Sequence, residues 1–283
     1  MRQPDSLTED GVKKFRQQGY WQGRLFVDLI DSHATVAPEK IAIIEASTQT
    51  RLSYQQLRDQ TKNLAASLVR LGIGKSDVVS IQAPNWPELV ICHLALNRIG
   101  AVFLPLHHGF READIKHLLE HTNAKAFIYP GTYKGFDYRV ILENIKDQLP
   151  DLQKKVVMRE NPLEGELSFE ALASDSSWVE QFGDDFLEEH RPDSVESRHI
   201  MVSSGTTSKP KCAVYCDDAT IFKIVQQYGK FACHLTSDDI AAAIAPAGTG
   251  ATGYSFPVMA PLLFGGTSVL LEHWSSHTAT TAL

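Results

Sequence analysis

The chain has 283 residues, 43% hydrophobic and 22% charged, which is ordinary for a globular protein of one large domain or two modest ones. Its net charge of -7, with no basic stripe, argues against a nucleic-acid partner. The segment from Met1 to Tyr20 has no apolar core of the signal-peptide kind, and the most apolar region, Phe256 to Leu271, is too short to span a bilayer. Four cysteines without zinc-type spacing point to reduced thiols and a cytoplasmic chain.

The predicted elements alternate. Ser53 to Gly72 reads as a helix: Ser53 and Gln56 fit a capping box, and Leu57, Thr61, Leu64, Ala65, Leu68 and Leu71 share one face. Gly72 or Gly74 stops it. Asp77 to Ala83 reads as a buried strand. Asn85 is expected to cap a second helix, with Pro87 in its first turn, running to Ile99 and ended by Gly100. Val102 to Leu106 is a strand, Arg111 to Thr122 a helix and Ala126 to Tyr129 a strand. The polar, acidic stretch from Asp151 to Glu196 reads as a solvated connector. The pattern resumes with a strand at Ile200 to Ser203, a helix near Asp218 to Phe231, and strands at Ile240 to Ala245 and Thr267 to Leu271. Such alternation predicts an α/β fold with doubly wound, mostly parallel sheets and helices on both faces.

The richest segment is Met201-Val-Ser-Ser-Gly-Thr-Thr-Ser-Lys-Pro-Lys211. Small hydroxyl residues around Gly205 let the backbone turn sharply and approach a ligand. Successive N–H groups in such a loop form an anion-binding nest, and Lys211 adds a flexible point charge. The segment predicts a phosphate-cradling loop after a strand, and it is not a Walker A loop.

Ser203 to Lys211 resembles the nucleotide-binding signature of the AMP-forming adenylating enzymes, the acyl-CoA synthetase and aryl acid–AMP ligase superfamily. Ser208 stands where that signature has its second glycine. Asn85-Trp-Pro-Glu88, Asn97 to Leu106, Phe110-Arg-Glu112, Leu118 to Ala126, Thr252 to Gly266 and Leu271-Glu-His-Trp274 resemble further family segments in family order, from about Arg24 onward. The resemblance implies activation of a carboxylic acid by ATP, with Mg²⁺, to an acyl-adenylate, followed by transfer to a thiol such as coenzyme A. It implies phosphate contacts by Ser203, Ser204, Gly205, Thr206, Thr207, Ser208, Lys209 and Lys211. It also implies that the chain is the N-terminal portion of such an enzyme. The family's adenylation lysine and ribose-binding aspartate lie in segments with no counterpart before residue 283, so the isolated chain is expected to be inactive, a fragment or a catalytically dead remnant. The implied organisation is an N-terminal extension (1–23), a first α/β sub-domain (24–190) and the start of a second (191–283) carrying the phosphate loop. The segment Arg24 to Ala46 is expected to pair with the second.

Other patterns weigh less. His117-Leu-Leu-Glu-His121 matches H-x-x-E-H, so two imidazoles and Glu120 could build a zinc hydrolase site. The alternative is an amphipathic helix with Ile115, Leu118 and Leu119 inward. His107 and His108 are expected on opposite faces of a strand, and Cys212 and Cys216 on one. Gly248 to Gly253 contains G-x-G-x-x-G without a βαβ context, and the resemblance sets it beside the substrate pocket instead. There Gly250 replaces a histidine that many relatives carry.

Overall fold

The computed structural model describes residues 8–183, 185–203 and 210–275. Helices α1 (Glu9–Gln17) and α2 (Phe26–Val36) precede strands β1 (Ile41–Glu45) and β2 (Thr50–Ser53) and the long helix α3 (Tyr54–Arg70). Then β3 (Val78–Gln82), α4 (Pro87–Arg98), β4 (Val102–Leu106), α5 (Glu112–His121) and β5 (Ala126–Pro130) alternate. A hairpin of β6 (Thr132–Tyr133) and β7 (Phe136–Asp137) leads to α6 (Tyr138–Ile145), β8 (Lys154–Met158) and β9 (Glu166–Ser168). Three short helices follow: α7 (Phe169–Ser174), α8 (Ser177–Phe182) and α9 (Asp185–Glu188). The remainder comprises β10 (Arg198–Ser203), β11 (Lys211–Cys216), α10 (Asp217–Ile221), β12 (Ile240–Ala243), α11 (Ala260–Leu263) and β13 (Thr267–Leu270). Two π-wound stretches, Phe222–Cys233 and Ala251–Met259, flank β12.

These strands form two main sheets. The larger has the order β11-β10-β4-β3-β5-β8-β9 and is parallel except for the β10–β11 hairpin. The chain steps outward from β3 to β4, then back past β3 to β5. Right-handed crossovers therefore put α4 and α5 on opposite faces of this sheet. The smaller sheet has the order β12-β13-β1-β2, with β1 parallel to β13, so the segment ending at Ala46 does pair with the C-terminal part of the chain.

Local sequence explains the best-read helices. The Ser53 hydroxyl accepts the Gln56 N–H at 3.2 Å, and the Gln56 side chain accepts the Ser53 N–H at 2.8 Å. Such a cap contributes about 1 kcal/mol. α3 then buries Leu57, Thr61, Leu64, Ala65 and Leu68. α4 is buried along its whole length except at Glu88, as befits a helix packed against β3, β4, α2 and α3. Its one buried cation, Arg98, makes a forked pair with Asp31 at 2.8 and 2.5 Å.

Four expectations need correction. The stretch 151–196 is not a solvated connector: β8 lies in the large sheet beside β5, with Val156, Val157 and Met158 buried. Its charge misleads because the acidic residues face water while a three-residue apolar run, Val156 to Met158, supplies the buried part of the strand. The boundary expected near residue 190 is not a change of sheet. β10 and β11, which flank the signature run, belong to the large sheet next to β4. The expected N-terminal extension is tied down between residues 8 and 23. The Asp218 carboxylate accepts the N–H groups of Gln22 and Gly23 and an N–H of Arg16, and Trp21 is buried. Finally, Asn85 does not cap α4, whose N-cap is Trp86.

Candidate active site

β10 runs parallel to β4, with His199 opposite Phe103, so the two strands deliver their carboxyl ends side by side. In open α/β sheets that edge is where ligands bind. β10 and β11 pair antiparallel from Arg198–Cys216 to Ser203–Lys211. Ser203 and Lys211 are therefore opposed in register at the mouth of the hairpin, and both are exposed. Ser204, Gly205, Thr206, Thr207, Ser208 and Lys209 lie outside the described residues. Along β11, Cys212, Val214 and Cys216 face inward while Lys211, Ala213 and Tyr215 are exposed, the expected alternation. Burial pushes the Cys216 thiol up to about 11, so it sits there as an inert apolar group.

A cleft of about 660 Å³ opens beside this hairpin. Met201, Val202 and Phe110 give it an apolar lining, His107, Asp114 and Ser203 add polar groups, and Gly248 to Ala251 form the facing wall. That wall explains the glycine-rich run. A Cβ on Gly248 would lie 2.4 Å from the backbone N and Cα of His107. One on Gly253 would lie 1.9 Å from the Pro246 carbonyl oxygen. The glycines permit backbone-to-backbone contact, so the run is a packing device here and not a dinucleotide loop. A Cβ on Gly250 would meet Met201 at 3.7 Å, although its φ of +71° favours glycine.

His107 and His108 stack instead of facing apart, with centroids 4.6 Å from each other and planes 21° apart. β4 ends at Leu106, and the Gly109 N–H donates to His107 Nδ1 at 2.9 Å, which turns the chain. Burial depresses the basicity of both rings, His108 to about 4, so both are neutral at pH 7. His107 lines the cleft as a neutral hydrogen-bonding group. His117 and His121 stack at 5.7 Å on α5, with Ile115, Leu118 and Leu119 in the core. No group of three metal-ligating residues forms among the described residues, so the zinc hydrolase reading gains no support from the geometry.

Sequence reasoning missed a polar cluster beneath the cleft. His93 on α4 stacks on Phe103 at 4.3 Å, and its Nδ1 lies 2.8 Å from the Tyr254 hydroxyl. His199 is wholly buried, 5.7 Å from His93, and burial holds it at about 4. Asp217 accepts from Asn97 Nδ2 at 2.6 Å and the Phe26 N–H at 3.1 Å, and burial raises it to about 7. His93 sits in an apolar run, where only a count of polar side chains in otherwise buried elements would have marked it, and Asp217 sits beside Asp218 in a pair that reads as a solvated helix start.

The AMP-binding enzyme family model matches residues 30–283. The chain belongs to that family. It is 30% identical over 272 residues to the medium-chain fatty-acid–CoA ligase of Escherichia coli (strain K12), covering 94% of this chain and 45% of the relative. It is 37% identical over 160 residues to the 2,3-dihydroxybenzoate-AMP ligase of Bacillus subtilis (strain 168), covering 56% of this chain and 28% of the relative. The apo structure of Mycobacterium smegmatis MbtA matches the fold with a TM-score of 0.83 at 24% identity, over 98% of this chain and 49% of its own. The chain thus spans about half the length of such relatives, and its sheets match the corresponding part of their fold. Among the described residues no helix is long and apolar enough to cross a membrane.

Proposed function

We propose that this chain carries the polyphosphate-binding part of a carboxylate-activating site of the acid–thiol ligase kind. The observation that carries this reading is the Ser203–Lys211 pairing. It sets both ends of the signature loop at the carboxyl edge of β10, on the rim of a partly apolar cleft. ATP and a carboxylic acid are the substrates. A carboxylate oxygen attacks the α-phosphorus, the bond to the bridging oxygen breaks, and pyrophosphate leaves. A thiol, with coenzyme A as the acceptor we favour, then displaces AMP to give a thioester.

The chain's own groups serve by position and charge. Loop N–H groups and Lys211 hold the departing phosphates, and the hydroxyls of Ser203, Ser204, Thr206 and Thr207 add donors. Phe110, Met201 and Ala251 give the cleft an apolar side that suits a fatty or aryl acid. The described residues form no carboxylate cluster for Mg²⁺, so no protein ligand is assigned to it, and no step is routed through it. Four free cysteines suit a reducing cytoplasm. The relatives' extra length motivates the further proposal that this chain alone does not complete adenylation. Titration calorimetry with pyrophosphate tests the reading. Heat that disappears in Lys211→Ala supports it, and equal heats reject it.

A further inference from the structure

We infer that Asn85 is a positioning residue, which fixes the Ala247–Ala251 wall of the cleft to the centre of the large sheet. The inference rests on the cleft being the substrate site proposed above. Asn85 lies just beyond the carboxyl end of β3, the middle strand of that sheet, and is 4% exposed. Its Nδ2 donates to the Ala243 and Ala245 carbonyls at 3.0 and 2.9 Å, and its Oδ1 accepts the Ala247 N–H at 2.7 Å. Both donor hydrogens and the acceptor oxygen are thus engaged across 158 to 162 residues of chain.

The partners explain what this achieves. Ala243 ends β12, the edge strand of the smaller sheet, and the chain from there leads straight into the cleft wall. The Ala243 carbonyl keeps a backbone bond from the Leu271 N–H at 3.4 Å, but Ala245 lies past the strand end, where ladder partners run out, and Pro246 has no N–H to offer. One buried amide takes over from the ladder there and ties the two sheets together at the root of the wall. A second anchor follows at once, where Gly248 closes on the His107 backbone. Thr249, Gly250 and Ala251 continue the wall from these two anchors and, with Gly248, face the cleft. Asn85 itself does not line the cleft, so its influence on a ligand runs through this wall.

The test uses the full chain with two probes. Pyrophosphate reports the Ser203–Lys211 loop, and an acyl-sulfamoyl adenosine, a hydrolysis-resistant acyl-adenylate analogue, also reports the opposite wall. Asn85→Ala removes all three hydrogen bonds. Asn85→Asp keeps the volume and the acceptor but removes both donors, so it guards against collapse into a cavity. Expected for both variants is a loss of about tenfold or more in analogue affinity, with pyrophosphate affinity unchanged within about twofold. In Asn85→Ala, amide exchange should accelerate at residues 243–251, with Ala247 foremost, and stay unchanged in β3 and β4. Analogue affinity at the wild-type level would overturn the inference. So would parallel loss of both probes, or loss of folding in both variants, since Asn85 would then be a general structural residue. If the wild type binds neither probe, the proposed function fails and the exchange pattern alone decides: localised acceleration upholds the tether, and unchanged protection rejects it.

Discussion

Gly248→Ala should loosen the cleft at a definable cost. The added Cβ would lie 2.4 Å from His107 N and Cα and 2.7 Å from the Leu106 carbonyl carbon. Comfortable carbon contacts begin near 3.5 Å, so the wall must retreat by roughly 1 Å. The obstructing atoms are backbone at the end of a buried strand, and no side-chain rotation relieves them. Overpacking of this kind costs about 1–3 kcal/mol. The φ of Gly248 is not in the left-handed region, so the effect is purely steric. Gly74→Ala is the control, because a Cβ there meets nothing within 4 Å. It should be neutral or stabilise by up to about 1 kcal/mol. Urea unfolding followed by circular dichroism measures both. A midpoint for Gly248→Ala indistinguishable from wild type, at unchanged slope, would refute the close-approach reasoning.

Three further outcomes are expected. Asp217, raised to about 7 from an ordinary 3.8, binds its proton more tightly when folded, so its contribution is lost as pH rises between those values. His199, lowered to about 4 from 6.5, has the opposite sign: stability falls as pH drops through that window. His108 at about 4 and His93, held lower by burial, have the same sign as His199, so the wild type should lose stability from pH 6.5 down to 4.5, roughly, with Asp217 offsetting one of these rings, and Asp217→Asn should lose on the order of 2–3 kcal/mol more. Identical slopes for the two proteins would sink this pairing. Arg159 forks to Glu45 at 2.8 and 3.0 Å and to Glu88 at 2.6 and 2.8 Å, and lies 3.9 Å over Trp86. Because Glu45 is 2% exposed, Arg159→Ala should cost about 2–4 kcal/mol, read as a lowered thermal midpoint, and a midpoint within a degree of wild type would contradict it. The purified chain should show no carboxylate-dependent ATP–pyrophosphate exchange above a Lys211→Ala background, and any clear excess refutes the expectation of inactivity.

How much was legible in the sequence depended on how local the cause was. The capping box at Ser53, Pro87 in the first turn of α4 and the glycine stop at Gly100 are local, and those elements appear where expected. β4 matches its predicted span residue for residue because a five-residue apolar run between a helix and a turn has few alternatives. The failures concern partners distant in sequence. An asparagine before Pro87 looks like a cap, but its side chain is claimed by carbonyls about 160 residues away. His107 and His108 lie one and two residues past the strand end, where alternation no longer applies. β8 is masked by the charged residues around it, and the sheet membership of β10 follows from pairing with β4, which no local pattern encodes. The signature run could be recognised, and a phosphate role proposed for it, because its residues are contiguous, whereas the cleft beside it could not, because three separate segments build it.

Polyphosphate binding by the Ser203–Lys211 loop is tested most directly by pyrophosphate titration of wild type, Lys211→Ala and Ser208→Gly at low and high salt. Binding by wild type should weaken steeply with salt, be lost in Lys211→Ala, and be kept or strengthened in Ser208→Gly. Equal heats for wild type and Lys211→Ala, at either salt concentration, would contradict it.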